Sequence, residues 1–176
     1  STCIYPPREH CNSQGVNDMG CTPEFLPGYQ AINDSTALEK LISEWGPLSL
    51  SNSNLAGDLF DNCINGALKF LYIAGEDPVH SYFKPQLVKE ALRTVPFLVV
   101  TDVFMTDTAR MADLILPAST FAEKEGSYTN MSRHVQRVAP AVIPQGTSKP
   151  DFDILIELAE SLDKPFKNTD TASVQK

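Results

Sequence analysis

The sequence predicts an α/β fold: a Rossmann-like, doubly wound, mainly parallel sheet with helices on both faces, preceded by a loop-rich N-terminal arm. Three observations predict it. Segments 70–74, 96–101 and 112–117 read as strands, the first a short continuous apolar run that fits burial on both faces and the second another buried strand. A helical segment at 85–93, with Pro85 in its first turn, separates the first two. A helical turn at 107–111 separates the second from the third. Strand, helix, strand, helix, strand at this spacing is the pattern of a parallel sheet, because parallel strands need crossover connections.

The other elements follow in order. Residues 1–34 are dense in turn chemistry, with Pro6-Pro7, Asn12-Ser13-Gln14-Gly15, Met19-Gly20, Pro27-Gly28 and Asn33-Asp34. A stretch this irregular is uncommon inside a compact domain, so it is read as an arm belonging to a larger subunit. Regular structure begins at Ser35-Thr36, an expected N-cap with Glu39 placed for a capping box; Leu38, Leu41, Ile42 and Trp45 follow at helical spacing until Gly46-Pro47. A second helix is expected from Ser53 or Asn54, carried by Leu55, Leu59, Phe60, Cys63, Ile64, Ala67 and Leu68. Residues 123–150 read as loop and edge strand, broken by Gly126, Pro140, Pro144, Gly146 and Pro150. A last helix opens at Lys149-Pro150-Asp151 with Asp151 as the expected N-cap and an apolar stripe of Phe152, Leu155, Ile156, Leu158, Ala159 and Leu162. The expected organisation is an arm at 1–34, an α/β domain at 35–165 and a frayed tail at 166–176.

Composition bounds the function. With 176 residues, 42% of them hydrophobic, the sequence has one domain's length and enough apolar surface for a core without disulfide or metal staples. A net charge of −8, from 22 acidic against 14 basic side chains, argues against nucleic acid as a partner. No apolar run approaches the roughly 18 residues that span a bilayer, and the start lacks a signal-peptide apolar region, so the sequence reads as soluble, without direct membrane insertion. Cys3, Cys11, Cys21 and Cys63 form no C-x-x-C pair and read as buried or incidental thiols, a three-cysteine metal site from Cys3, Cys11 and Cys21 being the weaker alternative, so no residue is assigned to a metal.

An open parallel sheet binds its ligand beyond the carboxyl ends of its strands. Three segments fall there: Gly75-Glu76-Asp77-Pro78, the run from Thr101-Asp102 to Thr106-Asp107-Thr108, and Pro117-Ala118-Ser119-Thr120 leading to Glu123 and Glu125. Glycine admits a close backbone, hydroxyls and amides at a helical turn suit phosphate, and carboxylates accept from ribose hydroxyls or the guanine N–H edge. The competing reading makes Asp77, Asp102 and Asp151 caps and turn formers only. No Gly-x-Gly-x-x-Gly follows a strand, and neither a Walker A motif nor Gly-x-Ser-x-Gly occurs. His10, His80 and His134 are scattered, and Arg133, His134, Gln136 and Arg137 read as a solvated edge strand.

The run from Arg8-Glu9-His10-Cys11-Asn12 through Gln14-Gly15 to Asp18-Met19-Gly20, then Leu26-Pro27-Gly28-Tyr29 and Gly75-Glu76-Asp77-Pro78, resembles the molybdopterin oxidoreductase superfamily. So do Asp102-Val103-Phe104-Met105-Thr106-Asp107-Thr108, Ala112-Asp113-Leu114-Ile115-Leu116-Pro117 and Glu123-Lys124-Glu125-Gly126-Ser127-Tyr128-Thr129-Asn130. The likeness covers about residues 4–163 and is nearest to formate dehydrogenase catalytic subunits and to the G subunit of respiratory NADH dehydrogenase. It implies an internal domain of a larger oxidoreductase subunit that holds molybdopterin guanine dinucleotide with Mo or W, the 4Fe-4S cluster lying outside this segment. It also implies the remaining domains of that subunit and other subunits of an electron-transfer complex as partners. The implied location is cytoplasmic, at most peripheral to the inner membrane through partner subunits. Carried across by position, cofactor contacts fall on Gly75, Glu76, Asp77, Ser81, Thr101, Asp102, Thr106 and Asp151. Arg8 falls beside the metal, where its charge would orient a substrate carboxylate, with His10 as its catalytic neighbour. Formate dehydrogenases read Arg-Gly-Gln-Asn-Asn where this sequence reads Arg8-Glu9-His10-Cys11-Asn12. The departure leaves as the alternative a cofactor-free scaffold domain of the NADH dehydrogenase G-subunit type.

Overall fold

The computed structural model describes residues 10–22, 24–46 and 55–165. In sequence order these form α1 (Ser13–Asp18), β1 (Phe25–Leu26), β2 (Gln30–Ala31), α2 (Ser35–Trp45), α3 (Leu55–Ile64), β3 (Leu71–Ala74), α4 (Pro78–Ser81), α5 (Pro85–Thr94), β4 (Leu98–Asp102), a 3₁₀ turn (Ala109–Met111), β5 (Leu114–Pro117), β6 (Gly126–Thr129), β7 (Val135–Val138) and α6 (Asp151–Ser161). The protein divides into two compact units, Ser1–Gly57 with Ser127–Val138, and Asp58–Gly126 with Ala139–Lys176. Among the described residues no helix is long and apolar enough to cross a membrane.

In the first unit the turn-rich sequence still forms a six-residue helix, α1, and a minimal antiparallel ladder of β1 on β2. Gly20 turns the backbone out of α1 with φ +76, and a Cβ there would lie 2.6 Å from the Pro27 nitrogen, so only glycine fits. The N-cap of α2 is Asp34, not Ser35 or Thr36: its Oδ1 accepts the N–H groups of Thr36 at 3.0 Å and Ala37 at 3.3 Å. A carboxylate one residue earlier reaches both orphan donors and adds negative charge at the helix's positive end. The expected apolar stripe of α2 is largely exposed, with Trp45 at 64%. β6 and β7 are joined by a turn that Asn130 organises, its Oδ1 accepting from the N–H groups of Ser132 and His134.

The second unit is mixed α/β and contains a three-stranded parallel sheet in the order β3-β4-β5, with Leu71 opposite Leu98 and Val99 opposite Leu114. Residues alternate between faces, so Leu71, Ile73, Leu98 and Val100 share one. That face packs with Phe60 and Cys63 of α3, Val79 of α4, and Val88, Ala91 and Leu92 of α5 in a continuous apolar core. Burying side chains of this size contributes about 1.5–3 kcal/mol each. The burial expected of the first two strands holds for β4 alone: Leu98 to Thr101 are buried, whereas β3, like β5, is at most half-buried. An edge strand has one strand neighbour, and nothing in its own sequence marks it as an edge. Beside β5, Leu114 and Leu116 line an apolar cleft of about 320 Å³ with Ile154 and Leu158 of α6. An isolated parallel bridge, Ala118 to Lys149, continues the sheet past β5 and leads into α6. Asp151 is therefore the first residue inside α6, not its N-cap; Pro150 holds that position and no side chain caps the helix.

Candidate functional site

Because the three strands are parallel, their carboxyl ends lie along one edge of the sheet. Gly75 leaves β3 with φ +64, donating its N–H to the Thr101 carbonyl at 2.8 Å. Its left-handed backbone favours glycine, and a Cβ built on it meets nothing within 4 Å, so open space remains at the strand end. The exposed Ser81 hydroxyl donates to the exposed Glu76 carboxylate at 2.5 Å.

Asp77 is engaged on both oxygens. Oδ1 accepts the Thr108 N–H at 3.3 Å and also the Thr108 hydroxyl, while Oδ2 lies 2.7 Å from His80 Nδ1. The buried Thr108 Oγ1 in turn accepts the Val79 N–H at 3.3 Å. Burial pushes the Asp77 carboxyl up, but the hydrogen bonds from Thr108 and His80 outweigh it and hold the group below its ordinary value. Asp77 therefore clamps the loop after β3 to the loop after β4.

After β4, Thr101 is wholly buried with its hydroxyl 2.6 Å from that of Tyr72, which leaves it no path to a ligand. Asp102 Oδ1 accepts the N–H groups of Val103 at 2.6 Å and Phe104 at 3.1 Å, and its other oxygen makes no hydrogen bond among the described residues. Thr106 Oγ1 accepts the N–H of Ala109, the first residue of the 3₁₀ turn, at 3.1 Å. Beyond β5, the Asp151 carboxylate pairs with Lys124. Buried Glu123 accepts the N–H groups of Thr120 at 2.8 Å and Gln145 at 3.1 Å.

The sheet edge thus brings together Gly75, Glu76, Asp77, Ser81 and Asp102, but their side chains do not all face outward. Glu76, Ser81 and one Asp102 oxygen face solvent or are free of internal partners; Asp77, Thr101 and Thr106 bond within the protein. Thr108 and Lys124, the partners of Asp77 and Asp151, lie within the same sequence motifs, yet sequence reasoning does not select them. A hydroxyl beside the Asp107 turn is the only local signal for Thr108. In the first unit His10 is exposed and its carbonyl accepts the N–H and hydroxyl of Ser13, at 3.2 and 3.0 Å. Arg8 lies outside the described residues. The apolar cleft beside α6 contains none of the candidate residues.

Three comparisons bear on this arrangement. A family model described as molybdopterin oxidoreductase matches residues 18–161. The F420-dependent formate dehydrogenase subunit alpha of Methanocaldococcus jannaschii is 41% identical over 162 residues, which are 92% of this chain and 24% of that one. Formate dehydrogenase H of Escherichia coli is 34% identical over 173 residues, 97% of this chain and 24% of that one. The protein therefore spans about a quarter of the length of these relatives. Among solved structures, acetylene hydratase from Pelobacter acetylenicus superposes with a TM-score of 0.50 at 19% identity, covering 87% of this chain and 20% of that one, a likeness of fold.

Proposed function

Because this chain belongs to the molybdopterin oxidoreductase family, we propose that it holds the guanine dinucleotide end of a molybdopterin cofactor within a formate dehydrogenase-type subunit. The family implies a molybdopterin cofactor with Mo or W. When bound, that group supplies two-electron redox chemistry at its metal; an iron–sulfur cluster outside these residues and further subunits would take the electrons onward.

The observation that carries the reading is Asp102. Two backbone N–H groups lock one of its oxygens and so aim the other, which has no internal donor. The guanine N1 and N2 edge offers N–H donors to such an acceptor. Open space beside Gly75 and the exposed Glu76–Ser81 pair fit the same ligand. In this reading Gly75, Glu76, Ser81 and Asp102 meet the nucleotide. Asp77, Thr101 and Thr106 act from behind, holding the loops that present those groups. Asp151, with Lys124, completes the edge at its third strand. Arg8 and His10 belong to the reaction centre, where the guanidinium orients a substrate carboxylate.

The test uses the full-length subunit. Mo or W and acid-released guanine nucleotide should co-purify in fixed proportion, and Asp102→Ala should reduce the nucleotide while leaving the melting temperature within about 2 °C, the shift expected of a small surface change. Wild-type protein that folds but carries neither metal nor nucleotide would reject the proposal and leave the scaffold role.

A further inference from the structure

Two local rules are broken side by side in the first unit. Asn12 occupies the N-cap of α1, where asparagine ordinarily caps its own helix, yet its side chain makes no capping bond. Gly15 stands inside the same six-residue helix, where alanine would be favoured by about 1 kcal/mol. One contact accounts for both. Asn12 Oδ1 accepts the N–H of buried Thr129 at 2.9 Å, across 117 residues of sequence. A Cβ on Gly15 would lie 2.3 Å from that same oxygen and 3.1 Å from Cγ. Glycine is therefore present because the Asn12 side chain passes over it on the way to β6.

The tether acts on a segment bonded to α1. The Asn12 carbonyl accepts the Val16 N–H at 3.0 Å, and the His10 carbonyl takes both donors of Ser13, so hydrogen bonds link the backbone from residue 10 to residue 16 around Asn12. At the other end, Thr129 terminates β6 immediately before Asn130, which fixes the turn to β7. The Asn12 side chain thus ties the His10 segment to a strand end distant in sequence. Departures from local preference with a compensating long-range contact are what a positioned site produces.

We infer that Asn12 is a positioning residue for the reaction centre: through Thr129 it fixes the His10 segment, with Gly15 as the clearance that its side chain requires. The inference rests on the proposed reading of His10 as part of the reaction centre. Its test uses the loaded full-length subunit, with formate as the probe. Asn12→Ala should speed amide exchange in the peptide containing Thr129 about three- to tenfold, the loss of one hydrogen bond. It should also raise the KM for formate about threefold or more with metal content unchanged. Asn12→Asp keeps the acceptor oxygen and should restore both. Gly15→Ala should be damaging in wild type and tolerated in the Asn12→Ala background, since the clash is with the Asn12 side chain. Unchanged Thr129 exchange in Asn12→Ala overturns the inference, and so does Gly15→Ala that is equally harmful in both backgrounds. Faster exchange with an unaltered KM also overturns it, reducing the contact to a structural one. Failure of the underlying reading looks different: the wild-type subunit then holds neither metal nor guanine nucleotide.

Discussion

The Asp77 carboxylate accepts both the backbone N–H and the hydroxyl of Thr108, 31 residues away, and the same hydroxyl accepts the Val79 N–H. Two segments at the sheet's carboxyl edge, the turn into α4 and the loop after β4, are thereby joined by one buried threonine and one partly buried aspartate. Removing either partner strands the other, so Asp77→Ala and Thr108→Val should each destabilise the protein. The double variant should lose less than the sum, with a coupling of about 0.5–3 kcal/mol in urea unfolding. Strict additivity would mean that the two do not bond in solution.

The same clamp predicts an acid-side dependence of stability. Burial alone would push the Asp77 carboxyl up, yet the bonds from Thr108 and His80 win and its folded value lies below the unfolded one of about 3.9. A depressed carboxyl contributes stability that is complete above the unfolded value and disappears as pH falls through the folded one. The gap in melting temperature between wild type and Asp77→Asn should therefore be constant above about pH 5 and narrow steadily below pH 4. A gap that widens toward acid would reverse the sign of the assignment.

Thiol reactivity separates the described cysteines by burial. Cys63 is wholly buried among the side chains of the apolar core, and burial pushes its thiol up, with a backbone hydrogen bond opposing in part. Cys11 and Cys21 are exposed. Since the thiolate is the nucleophile, iodoacetamide at pH 8 should modify Cys11 and Cys21 in the native protein and reach Cys63 only in denaturant. Peptide mass mapping reads this directly, and native labelling of Cys63 at the rate of Cys11 would contradict the packing of α3 on the sheet.

At the start of α2, Asp34→Ala should cost about 0.5–2 kcal/mol and Ser35→Ala close to nothing, because only Asp34 bonds the Thr36 and Ala37 amides. Amide exchange over residues 36–38 distinguishes them. Equal effects would restore the cap to Ser35.

What was legible in the sequence was what short-range pattern encodes. The apolar runs around Val99-Val100 and Leu114-Ile115 declare strands, and Pro85 with the spacing of Leu87, Val88, Ala91 and Leu92 declares α5. Which strand lies in the middle is a property of pairing, so the half-exposure of β3 could not be read from Leu71-Tyr72-Ile73-Ala74. In residues 13–31, dense turn chemistry hid α1 and the small ladder; the Asn12 side chain that precedes α1 bonds to Thr129, a partner no local pattern shows. The strand-end rule selects one edge of the sheet, but side-chain partners decide what each residue there can do. Asp77 and Asp102 are both aspartates after a strand; one is bonded at both oxygens and the other keeps one unbonded.

Ser119 poses the sharpest question at that edge. Its N–H donates to the Lys149 carbonyl at 2.8 Å, while its hydroxyl is buried and has no hydrogen-bond partner among the described residues. A buried hydroxyl without a partner costs about 1–3 kcal/mol, so Ser119→Ala should leave stability unchanged or raise it, with the backbone bond to Lys149 retained. The outcome discriminates between two origins of the orphan. If Ser119→Ala stabilises the isolated protein and leaves guanine nucleotide in the full-length subunit untouched, the hydroxyl is a local packing defect. If it stabilises the protein but lowers nucleotide retention, the hydroxyl is held in reserve for the ligand, and the cost of burying it is recovered on binding. A loss of stability instead would mean that the hydroxyl already bonds to an ordered water, which amide exchange at Lys149 and Ser119 would register as protection lost in the variant.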